Sequence, residues 1–198
     1  KLPVFGLVDP TTLIAIVDGR RLNSGQVKTD GFDFNFDYMI PTSWATFNIG
    51  AQANYTLHYK TAPIAGVALT DQVNNFGYPA QFTGKLQLGM QKGGFSATAF
   101  LNYVNSRTIT RTYLPASVPD QYMHIGSYTT VDLTLQYAFE NTGSMFTDGV
   151  SLTLTAQNLF NAKPPLVVNT GGTPITFDPS YSSPVGRFVA FQISKKFM

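Results

Sequence analysis

The sequence predicts an all-β fold: an antiparallel up-and-down β-barrel that crosses a membrane. Three observations carry that prediction. Apolar and polar residues alternate through most of the chain, the mark of strands with two unlike faces. Several alternating segments reach the roughly 9–11 residues that a tilted membrane-spanning strand needs, where soluble strands usually run about five or six. The links between segments also alternate, short then long, as strands with turns on one side and loops on the other require.

A weak strand is expected near Leu7 to Val17. The next segment, "TDGFDFNFDYMIP", sets Phe32, Phe34, Phe36, Tyr38 and Ile40 against Asp33, Asn35 and Asp37. Thr46 to Lys60 sets Phe47, Ile49, Ala51, Ala53, Tyr55, Leu57 and Tyr59 against Asn48, Gln52, Asn54, Thr56, His58 and Lys60. In Phe82 to Gln91, Leu86, Leu88 and Met90 alternate with Lys85, Gln87 and Gln91. In Phe95 to Tyr103, Phe100 breaks an otherwise polar parity. Val131 to Glu140 carries Leu133, Leu135, Tyr137 and Phe139 opposite Asp132, Thr134 and Gln136. Val150 to Gln157 carries Leu152 and Leu154 opposite Ser151, Thr153 and Thr155. Gly186 to Phe197 closes the series with Val189, Phe191 and Ile193. That makes about eight strands. Short links are expected at Pro41 to Ser43, Lys92 to Gly94 and, of moderate length, Asn141 to Gly149. Long links are expected at Asp18 to Lys28, Thr61 to Ala80, Val104 to Ser127 and Asn161 to Val185, and this phase brings the last strand to the short-turn side.

The composition agrees. Charged residues make up 12% of the 198, about half the usual share of roughly 25%. Aromatics make up 14%, and the formal net charge is only +2, which gives no footprint for nucleic acid. No Cys is present, which excludes disulfides, thiolate metal sites and a Cys nucleophile. No run of eighteen apolar residues exists, so no transmembrane helix is expected. The chain starts at Lys1 without a charged-then-apolar leader, which suits a cytosolic protein, a mature chain or a fragment.

Placed in a membrane, the parities acquire a direction. Phe34, Phe47, Leu57, Leu88, Leu133, Leu154 and Phe191 are expected to face lipid. Asn35, Gln52, Gln87, Asp132, Thr153 and Gln192 are expected to face a wet lumen. A cation on the lipid face costs about 2–4 kcal/mol at the midplane, and nearly every charge falls on the polar parity. Lys195 is the exception, near a strand end where its stem can snorkel. A soluble β-sandwich with one buried and one solvated face is the competing fold.

Three stretches resemble a known family. "LTLTAQNLFNAKPP", Leu152 to Pro165, resembles the penultimate strand and following loop of TonB-dependent outer-membrane receptors. "SSPVGRFVAFQISKKFM", Ser182 to Met198, resembles their last strand, with Gly186-Arg187 opening it and Phe197 as the barrel-assembly signal. "DGRRLNSGQVKTDGFDFNFDY", Asp18 to Tyr38, looks like an upstream loop and descending strand. Met198 after Phe197, and Lys195 where an apolar residue belongs, depart from the family pattern. The resemblance implies an active importer of the bacterial outer membrane: a barrel of about 22 strands filled by an N-terminal plug. The plug contacts the TonB–ExbB–ExbD energy-coupling complex, and the barrel is inserted by the barrel-assembly machinery. Its ligands are iron–siderophore complexes, cobalamin or oligosaccharides. Nothing in the sequence matches the plug, so residues 1–198 are expected to be the C-terminal barrel segment. A complete eight-stranded barrel with a structural or adhesive role is the alternative, since eight strands can close and fill their own interior.

Candidate ligand-binding residues lie in one long link: Arg107, Arg111, Tyr113, Tyr122 and His124. Arg and aromatic side chains suit an anionic or catecholate ligand, although solvated loop decoration is the favoured reading. Asp33 and Asp37, on one face, could serve a cation, but a luminal hydrogen-bond network with Lys85 or with a plug is the favoured expectation. The "NAKPP" run reads as a loop entry, because two adjacent prolines cannot continue a ladder. Asn54-Tyr55-Thr56 matches a glycosylation sequon but lies mid-strand. His58 and His124 lack metal-ligand spacing. No phosphate loop, nucleophile elbow or zinc-protease motif occurs, and two histidines do not assemble the rim cluster a barrel lipase or protease needs. Neither catalysis nor a cofactor is expected.

Overall fold

The computed structural model describes residues 25–64, 66–110, 116–117, 119–140, 143–144, 146–168 and 176–196. Seven long strands run in sequence order across one antiparallel sheet: β1 (Gln26–Pro41), β2 (Thr46–Ala62), β4 (Phe82–Lys92), β5 (Phe95–Val104), β8 (Tyr128–Phe139), β9 (Val150–Gln157) and β10 (Phe188–Lys195). A two-residue strand, β3 (Thr70–Asp71), adds to the end of β2. A separate small ladder joins β6 (Arg107–Thr108) to β7 (His124–Ile125). The only helix among the described residues is one 3-10 turn, Asp120–Met123, so no described helix can cross a membrane; this says nothing of crossing by strands. The sheet is open, with β1 and β10 at opposite ends of the path.

The strands form where the alternation places them, with shifted ends. β1 starts at Gln26, inside the expected loop, and β2 runs to Ala62, so the first hairpin is longer than its alternation. β8 starts at Tyr128, three residues before Val131, because Tyr128 to Thr130 pair with Asn102 to Val104 although their sequence does not alternate. The expected Leu7 to Val17 strand, and Phe197 beyond β10, lie outside the described residues.

Register turns seven separate alternations into one two-faced sheet. Tyr38, Ile49, Leu88, Ala99, Leu133, Ala156 and Val189 are paired in series across it. Two residues along, Ile40, Phe47, Met90, Ala97, Leu135, Leu154 and Phe191 form the next row. Rows on the other parity are polar, such as Asn35–Gln52–Lys85–Asn102–Thr130. A one-residue slip in any strand would exchange its two faces. The one irregularity is a bulge in the first hairpin: Asp30 pairs with His58 and Gly31 with Thr56, which leaves Leu57 without a direct partner.

The short links are tight. The Thr42 hydroxyl donates to the Ala45 carbonyl (2.6 Å) and accepts from the Ala45 amide (3.0 Å), closing the turn from β1 to β2. Gly93, with φ +55°, turns β4 into β5, a left-handed conformation that glycine adopts without the steric cost of a β-carbon.

Among the described residues no second layer covers the apolar face. Phe34 is 58% exposed and Phe191 63%, against the sandwich, where both would lie in a closed core. The fully buried large side chains are Ile109, Ile125 and Val167, and none belongs to a long strand. Phe76, Met123 and Val168 pack around them. Three of the long links, those from Thr61, Val104 and Asn161, therefore meet and build a core of their own.

Candidate functional site

The polar face is a continuous hydrogen-bonded surface. Asn54 donates to the Asp33 carboxylate (2.7 Å), Asn102 to Asp132 (2.9 Å) and Gln87 to the Asn48 side-chain oxygen (3.1 Å). Asp33 thus finds an amide partner on the neighbouring strand. Lys85, expected to join the aspartates, instead holds its ammonium 4.3 Å from the centre of the Phe100 ring. That contact accommodates the one aromatic residue interrupting the polar parity of β5, through attraction between a cation and a ring face. Lys195, the cation on the apolar parity, reaches back to donate to the Phe146 carbonyl (3.2 Å) in the turn before β9.

Above this face, residues 176–187 of the link from β9 to β10 fold inward. Ser180 and Tyr181 border an open groove of about 580 Å³ beside Asn35, Gln52, Lys85 and Asn102, and Pro179 to Gly186 border another of about 370 Å³ beside Thr130, Asp132 and Asn158. Their anchor is an ion pair between Arg107 on β6 and Asp178, with side chains only 4% and 3% exposed. The Arg107 guanidinium also lies 4.4 Å over the Tyr181 ring, and the Tyr181 hydroxyl accepts from the Ala80 amide (2.8 Å). Asn74 and Asn105 tie the same links together: Asn105 donates to the Asn74 side chain (3.0 Å), and Asn74 to the Ser106 carbonyl (2.9 Å).

Of the sequence-chosen loop residues, Arg107 is a buried structural cation rather than a group presented to solvent. Tyr122 and His124 are exposed on and beside the 3-10 turn. Arg111 and Tyr113 lie outside the described residues. His58 faces Asp30 at 3.1 Å across the first hairpin. The Asp71 carboxyl lies below its usual range: desolvation raises it, but hydrogen bonds from the Val73 and Tyr59 amides, with His58 and Lys60 nearby, outweigh that.

The stretch that carries the resemblance has a physical explanation. In "NLFNAKPP", Asn158 (φ +49°) and Asn161 (φ +55°) both adopt the left-handed conformation, which asparagine tolerates better than most residues. Asn158 accepts from the Ala162 amide (2.8 Å) and donates to the Ala162 carbonyl (2.9 Å). Its own amide donates to Asp132 (2.8 Å). Asn161 accepts from the Arg187 amide (2.9 Å). Gly186 lies so close to that Asn161 oxygen that a Cβ there would overlap it. The "NAKPP" and "GR" runs are therefore two halves of one lock joining the end of β9 to the start of β10.

Sequence reasoning missed Asp178, Tyr181 and Asn158. Only Asn158 had a local signal, an asparagine ending an alternating run. Asp178 meets Arg107 across 71 positions, with nothing periodic to announce it.

Comparison with known families agrees with the geometry. The family model described as TonB dependent receptor-like, beta-barrel matches residues 5–159, well over half the chain and including β1 to β9. No curated protein and no solved structure matches. Two unlike faces on one open antiparallel sheet, short turns facing long links, and this match lead to one statement: the chain belongs to the TonB-dependent receptor-like β-barrel family, whose members are outer-membrane transporters rather than enzymes.

Proposed function

We propose that residues 1–198 are the C-terminal barrel segment of an outer-membrane importer. In this reading the whole protein takes up a scarce ligand of the iron–siderophore, cobalamin or oligosaccharide class, driven through TonB–ExbB–ExbD by a plug that fills the barrel. The observation that carries it is the two-faced open sheet. Its apolar face has no cover among the described residues and suits lipid; its polar face, hydrogen-bonded from strand to strand, suits a wet lumen. Aromatic residues gather toward the strand ends, with Phe82 near Tyr103 and Trp44 stacked on Phe47, where interfacial girdles lie in such barrels. The path from β1 to β10 does not close, and open edges are not tolerated in hydrocarbon, so further strands complete the wall. Tyr122 and His124, exposed in the long-link cluster, stay candidates for ligand contact, as do Arg111 and Tyr113 of the same link.

The test is uptake by cells carrying or lacking the complete gene. Radiolabelled ferric siderophores, cobalamin and oligosaccharides are supplied in turn. Deletion is expected to abolish accumulation of one class, and collapsing the proton gradient is expected to do the same in the parent strain. Accumulation of every ligand unaffected by deletion, or uptake that persists without the gradient, overturns the reading.

A further inference from the structure

We propose that the outward face at the short-turn end carries a docking site for an anionic phospholipid, whose phosphate is held by Lys92 beside Trp44. Alternation places Lys92 on that face, because it follows Leu86, Leu88 and Met90 on the apolar parity of β4. Its direct partner is Phe95, which pairs in turn with Tyr137. Tyr137 pairs with Leu152, and Leu152 with Ile193. Lys92 is thus the one cation in an otherwise aromatic and aliphatic row, and it is the last residue of β4 before the turn.

The turn from β1 to β2 supplies the rest. The Thr42 hydroxyl accepts from the Trp44 amide (3.3 Å) as well as from that of Ala45, which fixes the backbone that carries the Trp44 ring. The ring is exposed and stacks on Phe47 of the apolar face, with centroids 6.1 Å apart. The Lys92 ammonium lies 4.2 Å from its centre. A lysine is tolerated at the end of a membrane strand, where its stem lies along apolar surface and its head reaches the interface. Trp belongs at that same headgroup level. The ring face attracts one side of the ammonium, and an ammonium has three donors, so the others suit phosphate oxygens. Strand carboxylates able to neutralise the charge lie elsewhere. Asp33, Asp37 and Asp132 sit on the polar parity, and Asp30 and Asp71 at the long-link end. A zwitterionic headgroup brings a second cation to the rim, whereas a net-anionic one does not. A further outward cation, Lys195, shares this end but donates to the Phe146 carbonyl (3.2 Å). It lies four strands from β4, roughly 19 Å at the usual strand spacing.

The proposal rests on the apolar face meeting lipid, and the experiment separates the two claims. Residues 1–198 contain no cysteine. Full-length protein, with any cysteine elsewhere replaced, carries Leu88→Cys labelled with a fluorescent probe. It is reconstituted into vesicles of phosphatidylcholine and phosphatidylglycerol, one or the other with brominated acyl chains. Position 88 shares the face of Lys92 and lies roughly 13 Å along the strand, beside the chains of a lipid held by its headgroup at Lys92. Brominated neutral lipid is expected to quench the probe in every background. In the parent, the anionic lipid is expected to bind about fivefold more strongly than the neutral one at low salt, a preference that salt screens. Lys92→Gln is expected to bring the ratio to one, Lys92→Arg to keep it, and Lys195→Gln to leave it unchanged. Quenching by aqueous iodide, with none by either brominated lipid, removes the lipid face and the site together. Quenching by both lipids with equal strength in the parent, or a preference that survives Lys92→Gln or disappears with Lys195→Gln, overturns the site alone.

Discussion

The long strands and the cluster of long links are built on opposite principles. In the strands, large apolar side chains such as Phe34, Leu88 and Phe191 stay exposed, and cohesion comes from the backbone ladder and the hydrogen-bonded polar face. In the links, Ile109, Ile125 and Val167 are fully buried, and an ion pair is sealed beside them. One region uses its solvent as the apolar phase, while the other makes an apolar phase by excluding water. The difference teaches that a region called loop by its lack of periodicity can hold the chain's water-excluding core.

The largest expected effect falls on that core. Arg107→Ala strands the Asp178 carboxylate and should destabilise the link cluster by about 3–5 kcal/mol. Hydrogen exchange at Ile109 and Ile125 should rise sharply while the β4–β5 ladder stays protected. Equal loss of protection in both regions would show that strands and links unfold as one unit. The strand wall supplies the converse. Leu88→Arg puts a cation on the apolar face and should cost about 2–4 kcal/mol in liposomes. Gln87→Arg, one residue away on the polar face, should cost less than about 1 kcal/mol, since polar-face positions stay wet. Urea titrations of both variants measure the gap; matched midpoints would remove the distinction between faces.

A smaller effect is expected where the two regions join. Asn158→Ala loses both bonds to Ala162 and puts alanine, which tolerates the left-handed conformation less well than asparagine, at that position, for a cost of about 1–3 kcal/mol. Proteolysis within residues 159–187 should accelerate while the heat-modifiable mobility of the barrel persists. An unchanged cleavage rate would show that the Asn161–Arg187 bond alone holds the junction.

The wall was legible and the link cluster was not, for a physical reason. Strand parity is a period-two property of neighbouring residues, so Phe32 to Ile40 announce their face without help from the fold. Where that period fails, as at Tyr128 to Thr130, pairing with β5 decides and the boundary moves. The Arg107–Asp178 pair, Tyr181 against Ala80, and Phe76 beside Ile109 are contacts between links whose separation in sequence carries no pattern. Arg107 drew notice for its charge, yet its burial depends on a partner that only the folded chain brings near. The turn residues fall between: the sequence of "NAKPP" marks a loop entry, but not that Asn161 would bind the backbone of Arg187.

The smallest effect tests the rim where β3 meets β2. Asp71 accepts hydrogen bonds from the amides of Tyr59 (3.1 Å) and Val73 (3.2 Å), and its carboxyl is held below the ordinary value of 3.8. A carboxyl whose folded pKa is depressed adds stability at pH above its unfolded value and loses it as pH falls through the folded value. The site is open to solvent, so screening keeps the contribution small. Acidification toward and below pH about 3.8 should therefore loosen the β2–β3 pairing, read as faster exchange of the Tyr59 and Val73 amides after correction for intrinsic rates. Asp71→Asn keeps an acceptor oxygen in place but cannot titrate, so its exchange should be slightly faster at neutral pH and flat through the acid range. If parent and variant follow the same acid profile, the loosening belongs to another group, and His58 with its neighbour Asp30 becomes the pair to replace next.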